Sequence, residues 1–317
     1  MTRRFAGLAA VVGLCAGLPA GSARTVRAAA AAPGAGVAPR TPQAGPRRIV
    51  SIVPAVTEML YAIGDGAAVV AVSSFDHYPP AVNALPRVGA LVDPDVERIL
   101  SLRPDLVIVY GTQSDLIAHL DRVHIPVFRY VDAGLADIPA AIEQLGVRVG
   151  LTDAGRREAA SIRDGLDAVR RSVAGRPRPK TALIFGREPG SLRGMFASGG
   201  VGFMHDLLVT AGGADVFGDI ARKSLQVTTE LLLTRQPEVI LEVYPADGWT
   251  PERIATERRV WQALPSLPAV RSNRVDILAN DALVIPGPRV VEAARLMQTA
   301  IHGHIGNLES GIWNRYP

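Results

Sequence analysis

The chain of 317 residues has a single cysteine, Cys15, inside an apolar run near its N-terminus. A mature protein lacking that run would hold no thiol at all. That removes cysteine-ligated zinc and iron–sulfur centres from consideration and suits an oxidising compartment. Also missing are a G-x-S-x-G elbow, a G-x-x-x-x-G-K-[ST] loop, an H-E-x-x-H helix and any C-x-x-C pair, so the usual local signatures of hydrolase, nucleotide and zinc sites are absent. Beyond residue 32 no stretch approaches the roughly 20 uncharged apolar residues of a bilayer span. Long Lys/Arg runs are lacking too, which leaves no electrostatic case for nucleic acid.

Residues 1–32 have the layout of a secretory signal. Arg3 and Arg4 precede the apolar stretch 5–20, and small residues follow to Ala32. A lipoprotein site needs a small residue before its cysteine, and Leu14 stands there instead. The twin arginines leave a folded-export route open. This segment carries Arg3, Arg4, Arg24 and Arg27 and no acid, so its removal takes the net charge of +4 to about zero. Export to the periplasm or cell envelope is expected, with membrane contact made only through a partner. Residues 33–46, rich in Pro, Gly and Ala, read as a flexible leader.

From residue 47 onward strands alternate with helices. Strands are expected at 47–53, in AAVVAVSS (67–74), at 106–110 and at 126–131, with a helix from Ala55 closed by Gly64. Such alternation predicts a mainly parallel, doubly wound α/β lobe over 47–150. Residues 152–175 form one long helix whose stripe of Ala159, Ile162, Leu166 and Val169 recurs every three to four positions. At about 30 Å for 20 residues it is long enough to join two lobes as a strut, and the bridging segment is taken as 151–176. The alternation then restarts over 177–304, with strands at 180–185, 238–243 and 274–278 and helices at 203–211 and 288–302; residues 305–317 are a tail.

The two halves share a repeat. ERILSLRPDLVIVY at 97–110 aligns without gaps on ELLLTRQPEVILEV at 230–243: a Glu, an apolar helical turn, a Pro, an acid, then an apolar strand. Pro104 and Pro237 end the two helices alike. The crowded glycines Gly186, Gly190, Gly194, Gly199, Gly200 and Gly202 lack dinucleotide spacing and read as a loop lining a cleft. The six histidines are scattered, so no metal centre is expected.

These residues resemble the periplasmic-binding proteins that feed iron-siderophore, haem and cobalamin ABC importers, most of all the cobalamin-binding members. The likeness covers about residues 47–302. It is carried by RRIVSIVPAVTEMLYAIG, VAVSSFDHYPP, LPRVGALVDPDVERILSLRPDLVIVYG, AGGADVFGD and QVTTELLLTRQPEVILEV. The resemblance implies two Rossmann-like α/β lobes bridged by one long helix, the class III periplasmic-binding fold, with the ligand held between them. It implies no enzymatic turnover, no cofactor, and a monomer that delivers its ligand to a permease dimer with its ATPase. Glu97 and Glu230 match the two glutamates that dock onto the permease. A corrinoid is the first expectation for the ligand, haem or a ferric siderophore the second.

Phe75 falls where cobalamin binders place an aromatic ring against the corrin. Asp76, His77 and Tyr78 follow it in a loop after a strand, where open α/β sheets bind ligands. The remaining wall candidates are Pro54, Ala90, Leu91, Tyr110, Gly111 and Thr112 from the first lobe, with Arg187, Phe196, Tyr244 and Trp249 from the second. Asp281 matches a ligand-contacting Asp, but Ala282, Leu283 and Val284 replace the aromatic and charged residues that follow it in the family. His77 or Tyr78 could serve as a haem axial ligand, and Arg187 and Arg193 could serve an anionic siderophore.

Overall fold

Residues 45–131 and 134–303 are described by the computed structural model; the expected signal peptide, nearly all of the leader, and the tail lie outside them. The first sheet consists of β1 (Ile49–Ser51), β2 (Val69–Val72), β3 (Leu106–Tyr110) and β4 (Val127–Tyr130) in the order β2-β1-β3-β4. Every neighbouring pair is parallel. Strands β2 and β3 are continuously apolar, as strands covered on both faces are, whereas the edge strand β4 turns Arg129 to solvent. Ile49, Leu106 and Ile108 point into one core cluster, Val50, Val107 and Val109 into another. The β1 ladder is shorter than the expected 47–53, because Pro54 starts helix α1 (Pro54–Ala62) at once. Helices α2 (Val96–Ser101), α3 (Ser114–Arg122) and α4 (Asp137–Arg148) complete the lobe.

Helix α5 (Thr152–Val173) is the strut. It crosses α4 at Gly146 and Gly155, where a Cβ on Gly146 would come within 3.1 Å of the Gly155 Cα; only a pair of glycines lets the two backbones approach so closely. Its expected stripe of Ala159, Ile162, Leu166 and Val169 is buried to 3% exposure or less. That stripe joins Ile142 and Leu145 of the first lobe to Leu207, Val290 and Met297 of the second in one continuous cluster. The lobes therefore share a core instead of being tethered by a solvated rod.

The second lobe holds β5 (Lys180–Gly186), β6 (Met195–Ser198), α6 (Phe203–Thr210), β7 (Ala214–Asp215), β8 (Ser224–Val227), α7 (Thr229–Arg235), β9 (Val239–Tyr244), α8 (Pro251–Arg259), α9 (Pro268–Arg271), β10 (Val275–Ala279) and α10 (Val290–His302). The sheet order is β10-β9-β5-β6-β8, with β7 pairing β5. β10, β9, β5 and β7 are mutually parallel, whereas β6 runs antiparallel to β5 and β8 antiparallel to β6. This corrects the reading of the glycine-rich stretch as loop alone. Four of its residues form β6, and Gly199 and Gly200 sit where a Cβ would lie 2.3 and 2.2 Å from the Arg222 and Gly218 carbonyl oxygens.

The repeat persists at the level of single hydrogen bonds. Asp95 and Thr228 cap α2 and α7 by accepting from the backbone N–H groups of Arg98 and Leu231. Both helices are followed by a residue in the left-handed region, Arg103 (φ 49°) and Gln236 (φ 52°), directly before Pro104 and Pro237. Next, Asp105 accepts from the N–H groups of Arg47 and Arg48 (2.8 and 2.9 Å), and Glu238 accepts from that of Lys180 (2.7 Å). In each lobe the acid after the proline thus clamps the entry of the central strand, β1 or β5.

Candidate ligand-binding site

Parallel strands place all their C-terminal ends on one edge, and in this chain the two edges converge. The segment after β10 reaches back to those after β1 and β2 and to the last residue of β4. Arg289 Nε and Nη2 donate to Glu58 Oε2 and Oε1 of α1 at 2.9 and 2.5 Å, and the Arg289 guanidinium lies 4.2 Å from the centre of the Tyr78 ring. The Tyr130 hydroxyl donates to the Pro286 carbonyl at 3.1 Å. Burial raises the Glu58 carboxyl above the usual range, although Arg289 pulls it down. The convergent strand ends form the candidate site.

On the first lobe, Phe75 and Tyr78 are unusually open for their size, at 41% and 38% exposure. Val92 and Val131, which the sequence reading passed over, are exposed near the same edge. Val131 follows β4 directly and stands beside Gly111. His77, Gly111 and Thr112 are exposed, while Pro54, Leu91 and Tyr110 are half-buried. Ala90 is buried, and so is Asp76, at 0% exposure. Asp76 Oδ2 accepts from the Ser73 N–H (2.8 Å) and hydroxyl (2.5 Å), and Arg87 donates to the Asp76 and Ser73 carbonyls. Asp76 is therefore the internal anchor of the loop instead of a wall, and burial drives its carboxyl upward despite those donors. Gln113, also missed, accepts from the Tyr110 N–H and donates to the Leu91 carbonyl, tying loop 89–94 to the end of β3.

On the second lobe, Tyr244 and Trp249 form a tilted aromatic pair with centroids 4.5 Å apart, and the Arg253 guanidinium covers Trp249 at 4.3 Å. Asp281 accepts from the Ala246 N–H at 2.9 Å and so holds this platform. Phe196 is half-buried opposite Gly186 at the end of β5. Ala282 and Leu283 are fully buried, so those two positions serve the core and not the wall.

Arg187 requires a correction. Its side chain is 1% exposed. Nε donates to both Glu242 oxygens (3.1 and 3.0 Å), Nη1 to Glu257 Oε2 (2.8 Å) and the Ser191 carbonyl, and Nη2 to the Glu257 carbonyl. Glu242 also accepts from the Tyr244 hydroxyl at 2.6 Å and from Trp261 Nε1. Burial first, and the Glu242 charge second, push the Tyr244 phenol far above its usual range. Arg187 is thus a buried brace joined to the Tyr244 platform through Glu242. Arg193 is exposed but paired with Glu188 at 3.3 Å.

Glu97 and Glu230 occupy equivalent places, each the second residue of a short helix and each exposed. Its own backbone N–H, followed by the Thr228 and Thr229 hydroxyls, holds Glu230 below the usual carboxylate range. Among the described residues no three His, Cys, Asp or Glu side chains converge on a common point suited to a metal. No helix among them is long and apolar enough to cross a membrane. A concavity of about 570 Å³ lies elsewhere, between α5 and α10, lined by Ser172, Arg176, Arg295, Gln298 and His302 among others.

Comparison with known proteins agrees with this geometry. The chain is similar to the vitamin B12-binding protein of Pectobacterium carotovorum, 29% identical over 255 residues that cover 79% of this chain and 86% of that one. It is also similar to the vitamin B12-binding protein of Vibrio parahaemolyticus, 28% identical over 249 residues, covering 78% and 86%. Among solved structures, the periplasmic vitamin B12 binding protein of Vibrio cholerae superimposes with a TM-score of 0.69 at 28% identity, covering 81% of this chain and 97% of that one. The periplasmic heme-binding protein of Roseiflexus sp. RS-1 superimposes with a TM-score of 0.70 at 24% identity, covering 81% and 98%, a likeness of fold. The family described as Periplasmic binding protein matches residues 49–282, and with two α/β lobes on a shared helical strut this chain belongs to it.

Proposed function

We propose that the protein is the ligand-capture component of an ABC importer, exported to the periplasm or cell envelope, and that it holds a corrinoid between its lobes without turning it over. The supporting observation is aromatic surface at the strand ends of both lobes: the open Phe75 on the first, and the paired Tyr244 and Trp249 on the second. A broad, flat, amide-fringed ring gains from apolar and aromatic faces with a few polar pins. The relatives named as vitamin B12-binding proteins lend the ligand class. An anionic chelate fits less well, because Arg187 is locked in its own ion pairs and Arg193 is engaged with Glu188.

Glu97 and Glu230 are the proposed contacts to a permease dimer driven by its ATPase. They are two exposed carboxylates in equivalent positions of a pseudo-symmetric molecule, suited to a two-fold receptor with basic sockets. The test is a calorimetric titration of the purified chain with cyanocobalamin, haemin and a ferric hydroxamate siderophore in parallel. Saturable binding of cyanocobalamin at micromolar concentration or tighter, with weaker response to the others, is expected. Silence with cyanocobalamin alongside clear binding of haemin would transfer the assignment to haem, with the exposed His77 as the first axial ligand to examine.

A further inference from the structure

The loop that carries Phe75 is fastened twice, and the two fastenings differ in kind. The first lies within its own lobe: Asp76 accepts from the backbone and hydroxyl of Ser73, and Arg87 bridges the carbonyls of both residues. The second crosses between lobes. Arg289, just before α10, presents its edge to Glu58 in a two-point fork and its flat face to the ring of Tyr78. Glu58 is 3% exposed, and the Arg289 side chain 17%.

A guanidinium is rigid and planar, so fixing its edge on Glu58 dictates where its face lies. Cation–π attraction then draws the Tyr78 ring onto that face. Phe75 is three residues from Tyr78, and Asp76 is the only anchored residue between them. Phe75 is also tied to its own lobe, its N–H donating to the Ser73 hydroxyl at 3.2 Å, so Arg289 adds the cross-lobe restraint at the far end of the same short loop.

We propose that Arg289 is a positioning residue for the ligand wall: it straps the 73–78 loop to the second lobe and holds Phe75 ready, without itself needing to touch the ligand. The consequence for ligand affinity rests on the corrinoid reading above; the strap itself does not. When a binding-competent arrangement is only fractionally populated, apparent affinity falls by that fraction. Loosening the strap weakens capture mainly by slowing association.

Two variants test this while leaving Phe75 and Tyr78 intact. Arg289→Lys keeps a positive charge for Glu58 but loses the fork and the flat face. The double variant Glu58→Leu with Arg289→Met replaces the buried pair by apolar groups, a change that commonly preserves folding, and removes the cation from Tyr78. Hydrogen exchange of the unliganded proteins, read by mass spectrometry over the amides of residues 74–78, is compared with cyanocobalamin association followed by stopped flow. Both variants are expected to exchange these amides about tenfold faster and to bind cyanocobalamin about tenfold more weakly, in keeping with the loss of a partly desolvated cation–π contact. Exchange at wild-type rates in both variants, whatever happens to melting temperature, would overturn the strap and leave an ion pair that merely stabilises the fold. Because exchange is measured without ligand, failure of wild-type protein to bind cyanocobalamin would refute the corrinoid reading separately.

Discussion

Replacing Phe75 by alanine probes the first-lobe wall most directly, and the structure sets the size of the effect. At 41% exposure, a phenylalanine of about 200 Å² leaves about 80 Å² of ring open to water. If a corrin face covers that area, the gain at about 25 cal/mol per Å² is about 2 kcal/mol, which corresponds to about 30-fold in Kd. Isothermal titration of wild type and Phe75→Ala with cyanocobalamin measures the ratio, and Phe75→Leu, which keeps much of the apolar area, should fall between them. Thermal unfolding supplies the control: a half-open ring contributes little to the core, so the cost in stability should stay within about 1 kcal/mol. An alanine variant that binds within threefold of wild type while melting normally would refute the assignment of Phe75 to the wall.

Three other outcomes follow from the same geometry. Glu97→Lys and Glu230→Lys should each abolish ligand-dependent transport in reconstituted permease vesicles while leaving Kd in solution unchanged, since both side chains are exposed; undiminished transport by the double variant would remove them from the docking surface. Leu166→Ala in α5, at 3% exposure, should cost about 3 kcal/mol yet leave one cooperative unfolding transition, because the same cluster spans both lobes; two resolved transitions would contradict a shared core. Asp76 is held above its ordinary pKa of 3.8 by burial, so the folded state binds more protons than the unfolded state from that pH up to the raised value, and stability is lost as pH rises through this window. Asp76→Asn removes that penalty: its stability relative to wild type should rise from about pH 4 upward and then level off, and a difference that is flat with pH would show that Asp76 carries no such cost.

The legible parts of the fold are those encoded locally. Continuous apolar strands, the three-to-four spacing of Ala159, Ile162, Leu166 and Val169, and the Glu-to-Pro register of the two repeats all act within a few residues of themselves. β6 was not legible, because four residues between glycine turns carry too short a pattern and its pairing depends on β8, equally short. The fate of Arg187 could not be read either: its partners Glu242 and Glu257 lie 55 and 70 residues away, and whether an arginine faces a cleft or a carboxylate is decided by packing. Glu58 did leave a trace, as an acid within a helix buried on almost every side. Its partner Arg289 is 231 residues distant, and nothing local announces it. The aromatics at the strand ends fared differently, because a parallel sheet places the C-terminal ends of its strands on one edge by topology alone: Phe75 and Trp249 lie in loops after β2 and β9, and Tyr244 is the last residue of β9.

The central claim is that one ligand is gripped by both lobes at once. A crystal structure of the protein grown with saturating cyanocobalamin tests it: the corrin ring is expected between the Phe75 loop and the Tyr244–Trp249 platform, in contact with each. Density for the ligand on one lobe alone, or in the groove between α5 and α10, would contradict it.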